Sequence, residues 1–194
     1  MVIRLASSED APAVARIYGP IVRDTVISFE VDPPSELEME RRIAATLGHA
    51  PWLVSEENGE ILGYVYASKH RERAAYQWSV DVAAYTHDAH RRKRVGRALY
   101  TTLFELLRLQ GFRAAHAGIT LPNAASVGFH EALGFRAVGV YSAVGFKLGA
   151  WHDVGWWQLR LIDSRDPPRP LIPLRAAQAL PEWKSTFEAA NRQG

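Results

Sequence analysis

The chain has 194 residues, a length suited to one ordinary domain with a full core. Apolar residues make up 47% and charged residues 23%, the balance of a globular chain rather than a disordered one. The formal net charge of +2 gives no global field for nucleic acid, and the absence of cysteine removes disulfides, thiolate nucleophiles and Cys-bound metals. Met1 to Asp10 does not read as a signal peptide, and no apolar run nears the ~20 residues that span a bilayer. A soluble cytoplasmic protein, away from membranes, is the expectation.

Val2-Ile3-Arg4-Leu5 reads as a short strand. Ser7 and Asp10 form a capping-box-like start with Pro12 in the first turn, and Val14, Ile17, Tyr18 and Ile21 follow at helical spacing. Pro33-Pro34 breaks the chain. Ser35 and Glu38 suggest a second capping box, with Leu37, Ile43 and Leu47 as the apolar face and Gly48 as the stop. Asn58-Gly59 between residues 52–55 and 61–66 is a strong hairpin signal.

Residues 76–86 are expected as the next strand. Val95, Leu99, Leu103, Leu106 and Leu107 mark a long helix closed by Gly111. Residues 113–120 read as a strand, and Asn123 caps a helix that ends near Gly134. Strands at 135–141 and 154–161 complete the order βααβββαβαββ, a mixed α/β sheet. The domain is expected over 1–162. Residues 163–194 form an extension, with the Pro-rich connector 166–170 and a marginal helix over 174–191.

Two features carry chemistry. Arg91, Arg92, Lys93, Arg94 and Arg97 crowd the start of a helix, where free N–H groups and the macrodipole already favour anions. Cations placed against the dipole call for a phosphate-bearing ligand; a solvated basic patch or a nucleic-acid contact is the alternative. Asp81 is an acidic residue inside a strand, sharing a face with Gln77, Ser79 and Tyr85. Apolar surroundings raise a carboxylate's pKa, which suits a general base; an ion pair with Arg73 is the structural alternative. His87, Asp88 and His90 lie close in sequence but carry no metal-binding signature, so no metal is expected.

Arg91-Arg92-Lys93-Arg94-Val95-Gly96 between a strand and a helix resembles the cofactor loop of the GNAT acyl-CoA N-acyltransferases, with Arg94 where that family has its first glycine. Tyr76-x-Trp78-x-Val80-Asp81, Leu121-Pro122-Asn123, His130-Glu131-Ala132-Leu133-Gly134-Phe135, Gly145-Phe146-Lys147 and Trp151-His152-Asp153-Val154-Gly155 resemble a branch of it, the phosphinothricin and methionine sulfone/sulfoximine N-acetyltransferases. The resemblance covers residues 2 to about 162.

It implies a splayed mixed sheet with helices on both faces, binding acetyl-CoA in the opening between the strand ending at Tyr85 and the strand beginning near Arg113. The backbone of Ala84, Tyr85 and Thr86 would meet the pantetheine arm. Arg91, Arg92, Lys93, Arg94, Val95, Gly96 and Arg97 would hold the pyrophosphate, with Asn123 beside the arm. Asp81 stands where these enzymes carry Glu and, one methylene shorter, would act as base through water. His130 takes the position of the tyrosine that protonates the departing thiolate. Phe29, Glu30, Arg71, Glu72, Arg73, Val82 and Ala83 would meet a small amino-acid substrate, with backbone N–H groups near Ala83 and Ala84 polarising the thioester carbonyl. His152 is read as structural or interfacial. A detoxifying homodimer, with the Trp151 to Trp157 region in its interface, follows from the same likeness. An enzyme acting on peptide amines, and a weakly catalytic acyl-CoA or nucleic-acid-binding module, stay open as rivals.

Overall fold

The computed structural model describes residues 1–192. Its main elements are β1 (Val2–Leu5), α1 (Ala11–Asp24), α2 (Glu36–Leu47), β2 (Trp52–Glu57), β3 (Glu60–Lys69), β4 (Ser79–Thr86), α3 (Val95–Gln110), β5 (Ala114–Leu121), α4 (Ala124–Glu131), β6 (Arg136–Lys147) and β7 (Ala150–Arg160). That order is the one expected from the sequence. Two further helices, α5 (Leu174–Ala177) and α6 (Pro181–Arg192), lie in the C-terminal extension.

All seven strands form one sheet in the order β1-β2-β3-β4-β5-β7-β6. Neighbours are antiparallel except β4 and β5, which run parallel and pair only over Ser79–Asp81. Beyond Asp81 the two strands part. This V-shaped opening is the architectural fact that positions the site.

Two cores sandwich the sheet. One face packs Val14, Ile17, Tyr18 and Ile21 of α1 and Met39 and Ile43 of α2 against Trp52, Val54 and Tyr64. The other packs Leu99, Leu103, Leu106 and Leu107 of α3 against Leu53, Val65, Val80 and Ala115. Each such aliphatic side chain contributes about 1.5–3 kcal/mol on burial. The α1 entry is fixed by the Ser7–Asp10 capping box, and both Asp10 oxygens accept from Arg4, each at 2.8 Å.

Several expectations are corrected. Residues 74–76 form a 3₁₀ turn, so the strand begins at Ser79 and Gln77 does not share a strand face with Asp81. Leu37 is exposed and the buried face of α2 is Met39 and Ile43. Ser35 accepts from the Glu38 N–H at 3.1 Å, while the Glu38 carboxylate pairs with Arg42 instead of returning to the cap.

The final hairpin is longer than predicted. A bulge between Tyr141 and Gly145, with Ala143 at φ 47°, interrupts the alternation that sequence reading relies on. Asp153 pins this bulge by accepting from the Ala143 N–H at 2.7 Å, and His152 Nε2 donates to the Lys147 carbonyl at 3.0 Å. The Trp-His-Asp-Val-Gly string is therefore, in large part, a hairpin clamp.

The extension splits into two helices, and its Leu174, Ala177 and Trp183 are buried in the α3-side core. Asn191 ties its end to the first strand, its Oδ1 accepting from the Ile3 N–H at 2.7 Å and its Nδ2 donating to the Ile3 carbonyl at 3.2 Å.

Candidate active site

The opening between β4 and β5 is lined by Val82, Ala83, Ala84 and Tyr85 on one side and by Ala117, Gly118, Ile119 and Thr120 on the other. Because β4 keeps β3 on one edge and loses β5 on the other, its backbone groups beyond Asp81 face the gap without a strand partner. Unpaired strand groups favour an extended ligand that completes the ladder. Tyr85 offers only backbone here, since its ring packs against Tyr18 and Tyr64 on the α1 side.

The basic turn stands at one end of this gap. Arg92 and Arg94 both take left-handed backbone, φ 63° and 64°. Arg94 is the N-cap of α3 and follows the path a glycine would take there, at a cost of roughly 1–2 kcal/mol. Turns of this kind gather N–H groups into anion-binding concavities, and the first N–H groups of α3, from Val95, Gly96 and Arg97, have no helical partner. Gly96 is a close-packing residue: a Cβ there would lie 3.4 Å from the Phe129 ring. Arg91 is paired with Asp88 at 2.7 Å, and Arg94 and Arg97 flank a groove between α3 and α6. Unpaired strand edge, free helix N–H groups and a cationic rim together fit a pantetheine arm ending in a pyrophosphate.

Asn123 caps α4 by accepting from the Ser126 N–H at 3.1 Å, which leaves its amide N–H groups for the cleft it lines. His130 and Tyr100 line the same wall. The His130 Nδ1–H donates to the Ser126 carbonyl at 2.8 Å, so Nε2 accepts from the Tyr100 hydroxyl at 3.2 Å. Burial lowers the His130 pKa, against the opposing pull of the Ser126 carbonyl, and the imidazole rests neutral.

Asp81 lies at the fork. Burial raises its pKa, and a hydrogen bond from His70 together with the nearby Arg71 only partly opposes this. Its partner is not Arg73: His70 Nδ1 stands 2.6 Å from Asp81 Oδ1. The His70 ring stacks on His116, centroids 4.2 Å apart and planes 14° from parallel. Burial, then the neighbouring His70 and Arg71, bring the His116 pKa down to about 4.

These histidines open onto a pocket of about 300 Å³ completed by Arg71, Tyr141 and Trp156. The Arg71 guanidinium lies 5.9 Å over the Trp156 ring and donates to the His70 carbonyl at 2.7 Å. Arg73 and Glu72 stay outside the pocket; Glu72 is exposed and faces Lys69 at 3.7 Å.

The α1–α2 loop borders the site. Ile27 reaches the cleft. Glu30 is committed to the protein, accepting from Arg42 Nη1 and Nη2 at 2.7 and 3.0 Å and from the Tyr18 hydroxyl at 2.8 Å. Phe29 lies on Gly145, where a Cβ would collide with its ring. Buried Lys147 donates to the Val22 and Ser28 carbonyls, each at 2.6 Å, and latches loop to hairpin.

Sequence reading missed His70, His116, Tyr100, Tyr141, Trp156 and Ile27. His116 carried the same signal as Asp81, a single polar residue in an apolar strand. Among the described residues, Glu60, His87 and His90 have ligand atoms within 4.8 Å of one another. His90 Nε2 lies 3.3 Å from Glu60, and the Lys93 amine, a competing cation, stands 3.3 Å from His90 Nδ1. No described helix is long and apolar enough to cross a membrane.

Comparison with known proteins agrees with this geometry. Residues 3–156 match the acetyltransferase (GNAT) domain model. The chain belongs to the GNAT acetyltransferase family, and its chemistry is acetyl-CoA-dependent N-acetylation. It is 38% identical to the phosphinothricin N-acetyltransferase of Streptomyces viridochromogenes, over 89% of this chain and 93% of that one. It is 34% identical to the L-methionine sulfoximine/L-methionine sulfone acetyltransferase of Salmonella typhimurium, over 86% and 98%. The crystal structure of a phosphinothricin acetyltransferase from Sinorhizobium meliloti, in complex with acetyl-CoA, superimposes with a TM-score of 0.84 at 33% identity, covering 92% of this chain and 98% of that one.

Proposed function

We propose that the protein acetylates the α-amine of a small amino acid of the phosphinothricin or methionine sulfone type. The observation that carries this is the pocket of Arg71, His70, His116, Tyr141 and Trp156, which adjoins the fork at Asp81 and is sized for one small molecule. Arg71 pairs with the substrate carboxylate, a role its fork of donors suits. The aromatic walls pack the side chain. Its relatives' names point to the same substrates.

Val82 to Thr86 receive the pantetheine arm by backbone pairing, and the turn from Arg91 to Arg97 holds the pyrophosphate. Backbone N–H groups near Ala83 and Ala84 polarise the acetyl carbonyl. Asp81 supplies the negative charge that draws a proton from the substrate. The incoming amine is an ammonium at neutral pH, and Asp81 is too short to meet it directly, so its proton travels through a go-between. His130, which lines the cleft and is hydrogen-bonded to Tyr100, acts on the leaving-group side. Being neutral at rest, His130 first accepts the second proton of the nitrogen and then returns it to the sulfur.

The exposed apolar side chains of β6, including Val138, Val140, Val144 and Phe146, with Trp151 beside them, support a homodimer through this hairpin. Trp156 and Trp157 point inward and leave Trp151 as the tryptophan of this region at such an interface.

The test is CoA release from acetyl-CoA, read with a thiol reagent. The chain contributes no thiol of its own. A panel of phosphinothricin, methionine sulfone, methionine sulfoximine, ordinary amino acids, a polyamine and a lysine peptide is expected to give turnover on the amino-acid analogues. Turnover on the peptide alone would move the assignment to protein amines.

A further inference from the structure

Gly118 of the cleft packs against Trp156 of the pocket, yet Asp81 lines neither; His70 and His116 line the pocket. We propose that His70 is the catalytic base of this enzyme: its Nε2 takes the proton from the substrate ammonium while Asp81 holds its Nδ1–H. This deepens the amino-acid acetylation reading and rests on it.

Four observations converge. His70 Nδ1 and Asp81 Oδ1 are 2.6 Å apart, the separation of a charge-assisted hydrogen bond. With Nδ1–H donating there, Nε2 carries the free lone pair, and no protein group bonds it among the described residues. The ring is held flat by His116, so its direction is set. The register explains the meeting: Asp81 pairs with Ser68 on β3 and with His116 on β5, and His70 lies two residues beyond Ser68. The imidazole therefore arches across Asp81 from one neighbouring strand's end to the other strand.

The surrounding charges favour this assignment. Arg71, from the same loop, and Asp81, from β4, are the ionised groups facing His70. His116, from β5, stays neutral. Tyr76, Tyr141 and Trp156 supply aromatic walls. One positive and one negative partner leave room for a transient imidazolium.

The proton count closes. The ammonium gives one proton to His70 Nε2, and the imidazolium is stabilised by Asp81. The freed nitrogen forms the C–N bond to the acetyl carbonyl and the C–S bond breaks. The second nitrogen proton neutralises the CoA thiolate. His70 then releases its proton to solvent, which matches the single proton that amide formation from an ammonium yields. The short Asp81 is thereby completed by an added ring, where a longer carboxylate would reach the amine itself.

His70→Asn separates the two roles of the ring, because the Asn amide can still donate to Asp81 but has no basic nitrogen. The variant is expected to bind acetyl-CoA as the wild type does and to lose roughly 100-fold in kcat. His70→Ala is expected to regain activity in proportion to added imidazole. Proton NMR of the ligand-free protein should show a downfield Nδ1–H resonance that disappears in both His70→Ala and Asp81→Ala. Wild-type turnover is read first: its absence on every amine overturns the functional reading and the base role with it. Wild-type rates in His70→Asn, or a slow His70→Ala that imidazole does not restore, overturn this inference alone.

Discussion

Asp81 and His116 form the last rung between β4 and β5 before the strands part. A carboxylate and an imidazole thus occupy the one point where the sheet stops being a sheet. Asp81→Asn removes the charge there with little change of shape. We expect kcat to fall by roughly 100-fold or more, with acetyl-CoA affinity within a factor of about two. Burial raises the Asp81 pKa, so the activity that depends on its ionised form is lost at higher pH than an ordinary carboxylate would give. A pH–rate profile in which the variant keeps the wild-type acidic limb would remove Asp81 from proton transfer.

Arg71 lies in the pocket and Arg73 does not. Arg71→Ala is expected to raise the KM for the amino acid by roughly 10-fold to 100-fold, the loss of one charged hydrogen-bonded pair. Arg73→Ala is expected to leave it within about twofold. Steady-state kinetics at saturating acetyl-CoA read both, and the reverse pattern would relocate the carboxylate site.

Arg94 holds a left-handed backbone that glycine adopts without strain. Arg94→Gly should therefore stabilise the fold by up to about 1 kcal/mol, or a Tm rise of about 2–4 °C. Acetyl-CoA affinity, measured by calorimetry, is expected to stay within about threefold. A large loss would show that the guanidinium itself contacts phosphate.

Much of this was legible from the chain. The element order followed from helical spacing, Asn58-Gly59 and the capping residues. Asp81 stood out because strands rarely place a carboxylate among Val80 and Val82. His70 did not stand out, because its role depends on register: only when Ser68 is paired with Asp81 does a histidine in a charged loop arrive over the carboxylate. The partner of Glu30 was hidden for a similar reason. Arg42 lies on the far side of the Pro33-Pro34 break, and no local pattern announces that pair. The bulge at Ala143 hid half of β6 because period-two alternation fails across an inserted residue.

Lys147 joins the substrate-side loop to the hairpin through the Val22 and Ser28 carbonyls. Lys147→Met keeps the length and removes the donors, leaving two buried acceptors unpaired. A destabilisation of about 1–3 kcal/mol is expected by denaturant unfolding. Gly145→Ala should dislodge Phe29 and raise the amino-acid KM while acetyl-CoA binding is kept.

Asp10 gives a pH test of folding alone. Burial pushes its pKa up, but the Arg4 hydrogen bonds and the Ser7 N–H outweigh this and bring it below the usual value. A depressed carboxylate stabilises above its unfolded pKa of about 3.9 and stops doing so as pH falls through the folded value. Asp10→Asn is therefore expected to cost about 1–3 kcal/mol at neutral pH, with the gap to wild type closing below about pH 3.9.

The grip of Asn191 on both polar groups of Ile3 has a consequence for growth of the sheet. One margin, β1, is sealed at this point by the chain's own C-terminal helix. The other, β6, is bare and apolar. Strand addition therefore has a single direction open to it. Two copies that met edge to edge along β6 would each present a closed far side to the next arrival, so joining terminates at a pair instead of propagating into a fibre.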